Sequence, residues 1–369
     1  MRLLFLTQDF PPAVGGIQTY SAGLVRALIG LGVTVEVVCP AHPDEAAMDA
    51  SFPCPVHRIH SRGDLLPLNL LPYIRRIADA FRPDVIACAQ WPLALPASRV
   101  AKKHGATIAV AAHGRELLNT RPLPRYAAIR RHFVRRADVL LPVSRYTAGL
   151  LRDLGADPSR IHVLTNGVDT DAFYPEGASE LRQKLSPLGK PLILTISRLV
   201  YRKGIDTMLE ALALIPVDDR PLYAVAGSGP DQDRLHALAD SLNLGDVVCW
   251  LGRVPDPDLR ALYNAADVFA LPARESRPDV EGFGLVFLEA AACRTPSIGA
   301  TTGGIPDAVV DGVTGLLVPP DAPRALASAI TRLCSDADYR QELGDAAYKR
   351  VHSGFTWNAV AERFIAAVS

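Results

Sequence analysis

Two glutamates separated by seven residues, Glu281 and Glu289, enclose Gly282 and Gly284, and an apolar helical pattern begins just after these glycines. A glycine-rich turn that opens a helix points free backbone N–H groups and the positive end of the helix dipole at one spot. The run therefore predicts a site for an anion, best satisfied by a diphosphate. Both carboxylates can face the ligand and accept hydrogen bonds from sugar or ribose hydroxyls. The alternative is two exposed glutamates around a flexible loop.

A basic turn, Ser-Arg-Leu-Val-Tyr-Arg-Lys-Gly at 197–204, directly follows a predicted strand. The Arg198 guanidinium can bond two phosphate oxygens, and the Lys203 ammonium adds a point charge. Such a pair neutralises the charge that builds on a departing nucleotide diphosphate. The order of glycine and lysine is not that of a Walker loop. A solvated basic turn is the alternative.

Two features near the start of the chain could also meet a ligand. Gly15 and Gly16 stand directly before a predicted helix, where they allow close backbone approach by a phosphate or a sugar. His113, followed by a glycine, ends a predicted strand, and residues at strand ends in α/β domains line the binding crevice. A plain glycine turn and a structural histidine are the alternatives.

Further turns follow strands in the second half. Gly227 lies in a Gly-Ser-Gly turn that would permit close approach to a ligand, and a Thr-Gly-Gly turn occupies 302–304. Arg253 and Val254 follow another strand, at a place where backbone groups could contact a nucleotide base. Each turn alone is moderately informative, but together at one sheet edge they favour a nucleotide site.

Composition narrows the class of protein. The chain has 369 residues, is 49% hydrophobic and 21% charged, and carries no net charge, which argues against disorder and against a nucleic-acid partner. Residues 1–172 carry a net +6 and the remainder a net −6, which suggests an anionic partner for the first half, or compositional scatter. Six scattered cysteines show no C-x-x-C spacing, which argues against a metal held by cysteines and against a disulfide framework. No apolar run is long enough to span a membrane, and we expect a cytoplasmic protein.

Short β-type runs alternate with helical patterns throughout, which predicts an α/β fold of two Rossmann-like, doubly wound domains that face each other across a cleft. In the first half we predict strands at 3–7, 33–39, 85–88, 107–111, 139–142 and 162–164. In the second half we predict strands at 192–196, 222–226, 247–251, 268–270, 297–298 and 315–318. We expect one domain to comprise 1–168 with the C-terminal helix at 356–369, and the other to comprise 169–355.

These motifs, in this order over nearly the whole chain, resemble those of the retaining glycosyltransferases of family 4, which have the GT-B fold. The Glu-x7-Glu element is the most specific part of the resemblance. Within the family, the segments at 9–18 and 280–290 look most like those of the GDP-mannose-dependent phosphatidylinositol mannoside mannosyltransferases. One departure is the Cys-Arg pair at 293–294, where a small residue and glycine are commoner.

The resemblance implies a role for each motif. A nucleotide-sugar donor would lie on the second domain, and the acceptor hydroxyl would come mainly to the first. Glu281 would contact sugar hydroxyls and Glu289 the ribose, while His113 would contact the transferred sugar. The remaining contacts implied are the diphosphate with Arg198, Lys203, Gly284, Leu285 and Val286, the base with Arg253 and Val254, and the diphosphate and acceptor with Gly15 and Gly16. No cofactor beyond the donor substrate and no metal are implied.

Several alternatives remain at the level of sequence. GDP-mannose is the predicted donor, UDP-glucose or UDP-N-acetylglucosamine the second choice, and a lipid-linked sugar, a glycan end or a small metabolite the acceptor. A nucleotide-sugar 2-epimerase on the same fold, or a binding subunit without activity, are the rival functions. A helical pattern at 126–136 places four arginines beside apolar residues, as in a helix on anionic lipid at the inner face of a membrane, or in a solvated basic helix: Arg130, Arg131, Arg135 and Arg136.

Overall fold

A computed structural model describes residues 1–59, 70–118, 124–177 and 180–369 of the chain. The chain divides into two compact units. Unit 1 comprises Met1–Gly167 and Trp357–Ser369, and unit 2 comprises Val168–Thr356. The chain therefore passes between the units twice, and the second passage returns it to unit 1.

Unit 1 is built on a six-stranded parallel sheet with the order β3-β2-β1-β4-β5-β6. Its strands are β1 (Arg2–Leu6), β2 (Thr34–Pro40), β3 (Val56–Ile59), β4 (Val85–Cys88), β5 (Thr107–Ala112) and β6 (Val139–Pro142). Its helices are α1 (Gly16–Gly30), α2 (Glu45–Ser51), α3 (Leu71–Phe81), α4 (Ala94–His104), α5 (Arg115–Leu118), α6 (Pro124–Arg136), α7 (Arg145–Asp153) and, from the C-terminus, α16 (Trp357–Val368).

Strand β1 shows why this sheet is covered on both faces. Alternate side chains of a strand point to opposite faces, so an apolar run without alternation must be buried on both. Leu3 and Phe5 pack in one cluster with residues of α1 and α16, and Leu4 and Leu6 pack in another with residues of α3 and α4. The sheet therefore forms the middle layer of three.

Unit 2 repeats this design with a second six-stranded parallel sheet, in the order β12-β11-β10-β7-β8-β9. Its strands are β7 (Leu192–Ile196), β8 (Leu222–Ala226), β9 (Val248–Gly252), β10 (Val268–Leu271), β11 (Ser297–Ala300) and β12 (Gly315–Val318). Its helices are α8 (Glu180–Leu185), α9 (Ile205–Leu214), α10 (Gln232–Ser241), α11 (Asp256–Ala265), α12 (Leu285–Ala292), α13 (Ile305–Ala308), α14 (Pro323–Ser335) and α15 (Ala337–Gly354).

The predicted fold class of two Rossmann-like doubly wound domains is confirmed, and all six strands predicted for unit 2 are present. Two details of unit 1 were wrong. The segment predicted at 162–164 is not a regular strand, although it runs beside β6: the N–H groups of His162 and Leu164 donate to the carbonyl oxygens of Leu140 and Pro142. Pro142 has no N–H to return such a bond, and the pairing is limited to one isolated bridge, Leu140 to Ile161. Strand β3 was missed because it lies at the sheet edge, where only its last residue is buried.

The strand order of each sheet reverses at one point, between β1 and β4 in unit 1 and between β7 and β10 in unit 2. The loops that leave neighbouring strands at such a point diverge to opposite faces of the sheet and open a crevice at the carboxyl ends of the strands. The residues that follow these four strands are therefore the first candidates for a site. Within the described ranges, no helix combines the length and the apolar character needed to cross a membrane.

Candidate functional site

The loops that follow β7 and β10 bring three charged side chains of unit 2 together. The turn after β7 carries Arg202 and Lys203, and the loop after β10 carries Glu281. Lys203 Nζ donates to Glu281 Oε2 at 2.5 Å, and Arg202 Nη1 donates to the same oxygen at 2.7 Å. Lys203 is only 8% exposed, so its charge depends on this carboxylate.

The ionisation of this cluster follows from its contacts. Burial alone would raise the pKa of Glu281, but the charges of Lys203 and Arg202 and their hydrogen bonds lower it to about 2. Burial lowers the pKa of Lys203, and the Glu281 carboxylate acts in the opposite direction. At neutral pH the cluster therefore holds two cations on one anion, with positive charge left over for a ligand.

Glu281 also lies against the glycine turn that begins α12. Gly284 has a φ of 93° and precedes the helix, and a Cβ on it would lie 2.6 Å from the Phe287 ring and 3.8 Å from Glu281 Cγ. Only glycine fits this position without strain. The backbone N–H groups of Leu285 and Val286, in the first turn of α12, have no intrahelical carbonyl partner. The two cations and the helix start therefore flank the same carboxylate.

Glu289, further along α12, has a different environment from Glu281. Its Oε2 accepts a hydrogen bond of 2.7 Å from the hydroxyl of Tyr263, which is completely buried. Burial raises the pKa of Glu289 to about 7; the Tyr263 hydrogen bond opposes this effect and the charge of Asp256 adds to it. The two glutamates that the sequence paired are thus fully ionised in one case and half-ionised near neutral pH in the other.

The remaining residues predicted for unit 2 lie in the turns that follow its strands. Arg198 is exposed, and its side chain makes no polar contact within the described ranges. Arg253 is exposed and Val254 half-buried, directly after β9. Gly227 has a φ of 140°, but the atom it approaches is protein: a Cβ there would lie 1.8 Å from the Ser197 carbonyl oxygen. A glycine at this position therefore allows the two turns to pack together.

In unit 1, His113 directly follows β5, and its ring contacts the Ala89 carbonyl oxygen and the Tyr20 ring. Its Nε2 lies 3.0 Å from the carbonyl oxygen of Ala89, so Nε2 carries the hydrogen and Nδ1 is the acceptor. Burial lowers the pKa of His113, although the carboxylates of Glu116 and Asp9 act to raise it. The Tyr20 ring packs edge-on against the imidazole at 4.9 Å. His113 therefore presents a neutral ring.

Asp9 follows β1, and its carboxylate was not among the site residues predicted from the sequence. Its oxygens accept hydrogen bonds from the side-chain amides of Gln18 at 3.0 Å and Gln90 at 2.6 Å. Burial raises the pKa of Asp9, against the effects of His113 and of the Gln90 amide. Gly15, before α1, lies against the Gln18 side chain, and Gly16 is the first residue of α1. Asp9 and Gln90 follow β1 and β4, at the point where the sheet order reverses.

The basic helix α6 does not present all four arginines to solvent. Arg131, Arg135 and Arg136 are exposed, as predicted for a surface helix. Arg130 is buried, and its Nη1 donates to the Leu117 carbonyl oxygen at 2.6 Å, so its assignment to a lipid-facing surface was wrong. A helical pattern gives the spacing of charges, but it does not say which side the fold covers.

The sequence also missed Arg202 and Tyr263. Arg202 stands in the quoted basic turn, and its charge next to Lys203 was the available signal. Tyr263 lies 26 residues before Glu289, and no local signal connects the two. Among the described residues, no group of three or more His, Cys, Asp and Glu side chains is placed to hold a metal ion.

Two family models match the chain in order. The one described as Glycosyltransferase Family 4 matches residues 14–172, and the one described as Glycosyl transferases group 1 matches residues 178–350. In fold, the chain is similar to sucrose-phosphate synthase from Thermosynechococcus elongatus, with a TM-score of 0.83 and 24% identity over 99% of this chain and 98% of that one.

Two curated relatives are similar over nearly the whole length. The GDP-mannose-dependent alpha-(1-6)-phosphatidylinositol monomannoside mannosyltransferase of Mycobacterium tuberculosis is 34% identical over 98% of this chain and 96% of its own. The GDP-mannose-dependent monoacylated alpha-(1-6)-phosphatidylinositol monomannoside mannosyltransferase of Corynebacterium glutamicum is 33% identical over the same shares. The resemblance seen in the motifs is thereby confirmed: the chain belongs to glycosyltransferase family 4 and is a glycosyltransferase with the GT-B fold.

Proposed function

We propose that this enzyme transfers mannose from GDP-mannose to a hydroxyl of a phosphatidylinositol mannoside, with retention of the anomeric configuration. The observation that carries the proposal is the cluster of Arg202, Lys203 and Glu281 beside the start of α12, which suits a sugar diphosphate. The names of the whole-length relatives support the choice of donor and of acceptor class. The unit assignment is part of the proposal: unit 2 binds the donor, and unit 1 binds the acceptor.

The diphosphate is the part of the donor that this site suits best. The exposed Arg198 guanidinium has no competing partner within the described ranges, so it is available to bond two phosphate oxygens. Lys203 supplies a second charge, and the backbone N–H groups near Gly284, Leu285 and Val286 supply donors at a helix start. These groups also stabilise the negative charge that develops on the leaving nucleotide.

The two glutamates take different parts of the donor. Glu281, ionised and held by two cations, accepts hydrogen bonds from the hydroxyls of the transferred sugar. Glu289 has one oxygen occupied by Tyr263, and it binds the ribose with the other. Arg253 and Val254 border the base. Gly227 acts indirectly, because it packs its turn against the turn that carries Arg198.

Unit 1 supplies groups for the transferred sugar and the acceptor, and a backbone approach for the diphosphate. The Nδ1 atom of His113 is an acceptor in the neutral ring, and we assign it to a hydroxyl of the transferred sugar. Gly15 and Gly16 allow the diphosphate and the acceptor to approach the start of α1. The Asp9 carboxylate accepts hydrogen bonds from two amides and interacts electrostatically with His113. It suits an acceptor rich in hydroxyls.

The chemical step follows from the charges of these residues. The bond from the anomeric carbon to the diphosphate oxygen breaks, the acceptor oxygen attacks from the same face, and its proton passes to the departing phosphate. Glu281 is a positioning group in this step, because an anion paired with two cations is a poor nucleophile. Two protein cations supply the positive charge, so no metal is required; activity that survives EDTA tests this point.

Peripheral binding at an anionic membrane is the proposed location of the reaction. The exposed arginines Arg131, Arg135 and Arg136 of α6 support it, since juxtamembrane basic residues each contribute about 1 kcal/mol near anionic lipid. We expect replacement of all three by glutamine to abolish sedimentation with phosphatidylserine vesicles. Replacement of Lys184, Arg324 and Lys349, exposed cations of unit 2, is the matched control and should leave it unchanged.

A thermal-shift panel of nucleotide sugars tests the donor. A ligand at 100-fold over its dissociation constant adds about 2.7 kcal/mol to the free energy of unfolding. GDP-mannose should stabilise more than UDP-glucose or UDP-N-acetylglucosamine, and the product should carry an α-linked mannose. A preference for UDP-sugars would contradict the proposed donor. Formation of an epimerised donor in the absence of an acceptor would contradict the proposed transfer and favour an epimerase. A covalent glycosyl adduct on Glu281 would overturn the front-face step.

A further inference from the structure

The turn that carries Lys203 contacts the loop after β10 at a second place, in addition to Glu281. The backbone N–H of Arg274 donates to the carbonyl oxygen of Arg202 at 2.8 Å. Gly204, which closes the turn with a φ of 69°, lies so near the Pro272 carbonyl that a Cβ would be 2.0 Å from its oxygen. The turn and the loop after β10 are therefore in direct backbone contact.

The side chain of Arg274 extends this contact to the helix that follows the turn. Its guanidinium lies 4.2 Å from the centre of the Tyr201 ring, which is in the same turn as Lys203. Its two terminal nitrogens donate to the two carboxylate oxygens of Asp206, at 3.1 Å and 2.5 Å, and one also donates to Thr207 Oγ1 at 2.6 Å. Asp206 and Thr207 are in the first turn of α9.

Burial makes this contact specific. The Arg274 side chain is 5% exposed and the Asp206 side chain 10%, and both ends of the pair are bonded. A planar guanidinium that binds a carboxylate with two nitrogens and stacks on an aromatic ring has one allowed orientation. The side chain of Arg274 thus fixes the Tyr201 ring and the start of α9, and its backbone N–H binds the Arg202 carbonyl oxygen.

The consequence concerns Lys203, whose ammonium ends a flexible stem and takes its position from its surroundings. Glu281 is one restraint, but a diphosphate bound by Lys203 and Arg202 must share these cations with Glu281, which weakens that restraint. The side chain of Arg274 contacts Asp206, Thr207 and the Tyr201 ring, none of which the proposed function assigns to the donor, so these contacts persist when the diphosphate binds. We propose, on the basis of the proposed function, that Arg274 is a positioning residue that holds the Tyr201–Lys203 turn in place for the second phosphate of the donor.

Arg234 offers a matched control. It donates to the same Asp206 carboxylate at 3.0 Å and lies over the same Tyr201 ring, at 5.7 Å. Its side chain is 47% exposed, and it makes no hydrogen bond to the turn within the described ranges. A variant of Arg234 therefore removes a comparable charge near Asp206 without releasing the turn.

The experiment measures the dissociation constants of GDP and GMP by calorimetry for the wild type, Arg274→Gln, Arg274→Lys, Arg234→Gln and Arg234→Lys. GDP differs from GMP by the second phosphate. The ratio of the GMP dissociation constant to the GDP dissociation constant therefore measures how strongly that phosphate is bound. In Arg274→Gln we expect the ratio to fall about tenfold, the order for one weakened charge-assisted hydrogen bond, with the GMP constant unchanged. Arg274→Lys should lie between, and both Arg234 variants should match the wild type.

Three results would overturn the proposal: an unchanged ratio in the Arg274 variants, an equal loss of GMP and GDP affinity, or the same fall in the Arg234 variants. If Arg274→Gln does not fold, Arg274→Lys carries the test, because it retains the charge. If the wild type prefers uridine nucleotides, the ratio of UDP to UMP applies the same test and only the proposed donor fails. A wild type that binds neither nucleotide would overturn both proposals.

Discussion

The candidate groups of the two units differ in how their charges are held. In unit 2, Glu281 is strongly ionised and paired with two cations, and its pKa lies at about 2. In unit 1, His113 is neutral, and the Asp9 carboxylate is bonded to two amides, with no ion pair to a cation among the residues that the structure describes. An ion-paired cluster with excess positive charge suits a diphosphate. A neutral imidazole and a carboxylate bonded to amides suit the hydroxyls of a sugar or a lipid-linked polyol.

The difference also shows which interactions depend on ions. Paired charges attract a charged ligand over several ångströms, and salt weakens this attraction, whereas hydrogen bonds between neutral groups act only at contact. Donor binding should therefore be sensitive to ionic strength, and the groups of unit 1 should matter after the donor is bound. Substitutions in either unit test this contrast.

The largest effect is expected when a cation of unit 2 is removed. Arg198→Ala and Lys203→Ala should each lower turnover by about 2–4 kcal/mol in activation free energy, roughly 30- to 1000-fold, because the leaving diphosphate loses a stabilising charge. Their stabilities should differ. Lys203→Ala should also lower the melting temperature, since it leaves Glu281 with Arg202 alone, while Arg198 has no partner to lose within the described ranges.

Steady-state kinetics and thermal unfolding of the two variants separate the catalytic role from the structural one. Near-normal turnover in both would remove the assigned role of these cations. A melting temperature in Lys203→Ala equal to that of the wild type would contradict the ion pair itself.

A smaller effect is expected in unit 1. His113→Ala removes the Nδ1 acceptor and the ring against Tyr20, and it should lower turnover by about 1–2 kcal/mol in activation free energy, the order of one hydrogen bond. GDP affinity should stay unchanged, because no charge on the donor side is altered. Calorimetry with GDP and initial-rate measurements check this, with His132→Ala, an exposed histidine of α6, as the control. Weaker GDP binding in His113→Ala would end the distinction between the units.

The glycine at the start of α12 gives a prediction about backbone geometry. Gly284→Ala should lower the free energy of unfolding by about 1–2 kcal/mol, because the residue has a φ of 93° and its new Cβ would meet the Phe287 ring at 2.6 Å. Nucleotide affinity should fall with it. Gly245→Ala is the control, since a Cβ there meets nothing within 4 Å. Equal melting temperatures for both variants would show that the turn adapts.

The sequence predicted the elements whose pattern is local. The strands of unit 2 were predicted correctly because each is a short apolar run bounded by turn formers. Lys203, Glu281 and Glu289 stay predicted ligand contacts; the structure shows that Lys203 and Glu281 meet, in loops that follow neighbouring strands. Strand β3 was missed because its edge position leaves His57 and Arg58 only partly buried, which removes the apolar signal.

The contacts that hold the site are not local, and the sequence could not supply them. Arg274 and Asp206 are 68 residues apart, and Tyr263 and Glu289 are 26 apart. The burial of Arg130 is of the same kind, since it depends on the Leu117 carbonyl at the end of another helix. Contacts between residues so far apart in sequence depend on which loops the fold brings together at the edge of the sheet.

The smallest effect concerns Glu289 and pH. Its pKa is raised from 4.5 to about 7, so it stabilises the fold fully below pH 4.5, and this contribution is lost as the pH rises through 7. Ribose hydroxyls donate to the ionised form, so GDP should bind about tenfold more tightly at pH 8 than at pH 6 if the protonated form does not bind. Glu289→Gln, which retains an acceptor for Tyr263, should flatten both dependences.

Calorimetry and unfolding curves at pH 5, 6, 7 and 8 measure the two dependences in the wild type and in Glu289→Gln. GDP itself titrates near pH 6, as phosphates do, so the difference between the two proteins is the informative quantity. That difference cancels the titration of the ligand and of every other group on the protein. A parallel course for both proteins would place the ribose away from Glu289, and it would leave Glu281 as the one ionised carboxylate of the pair that the donor meets.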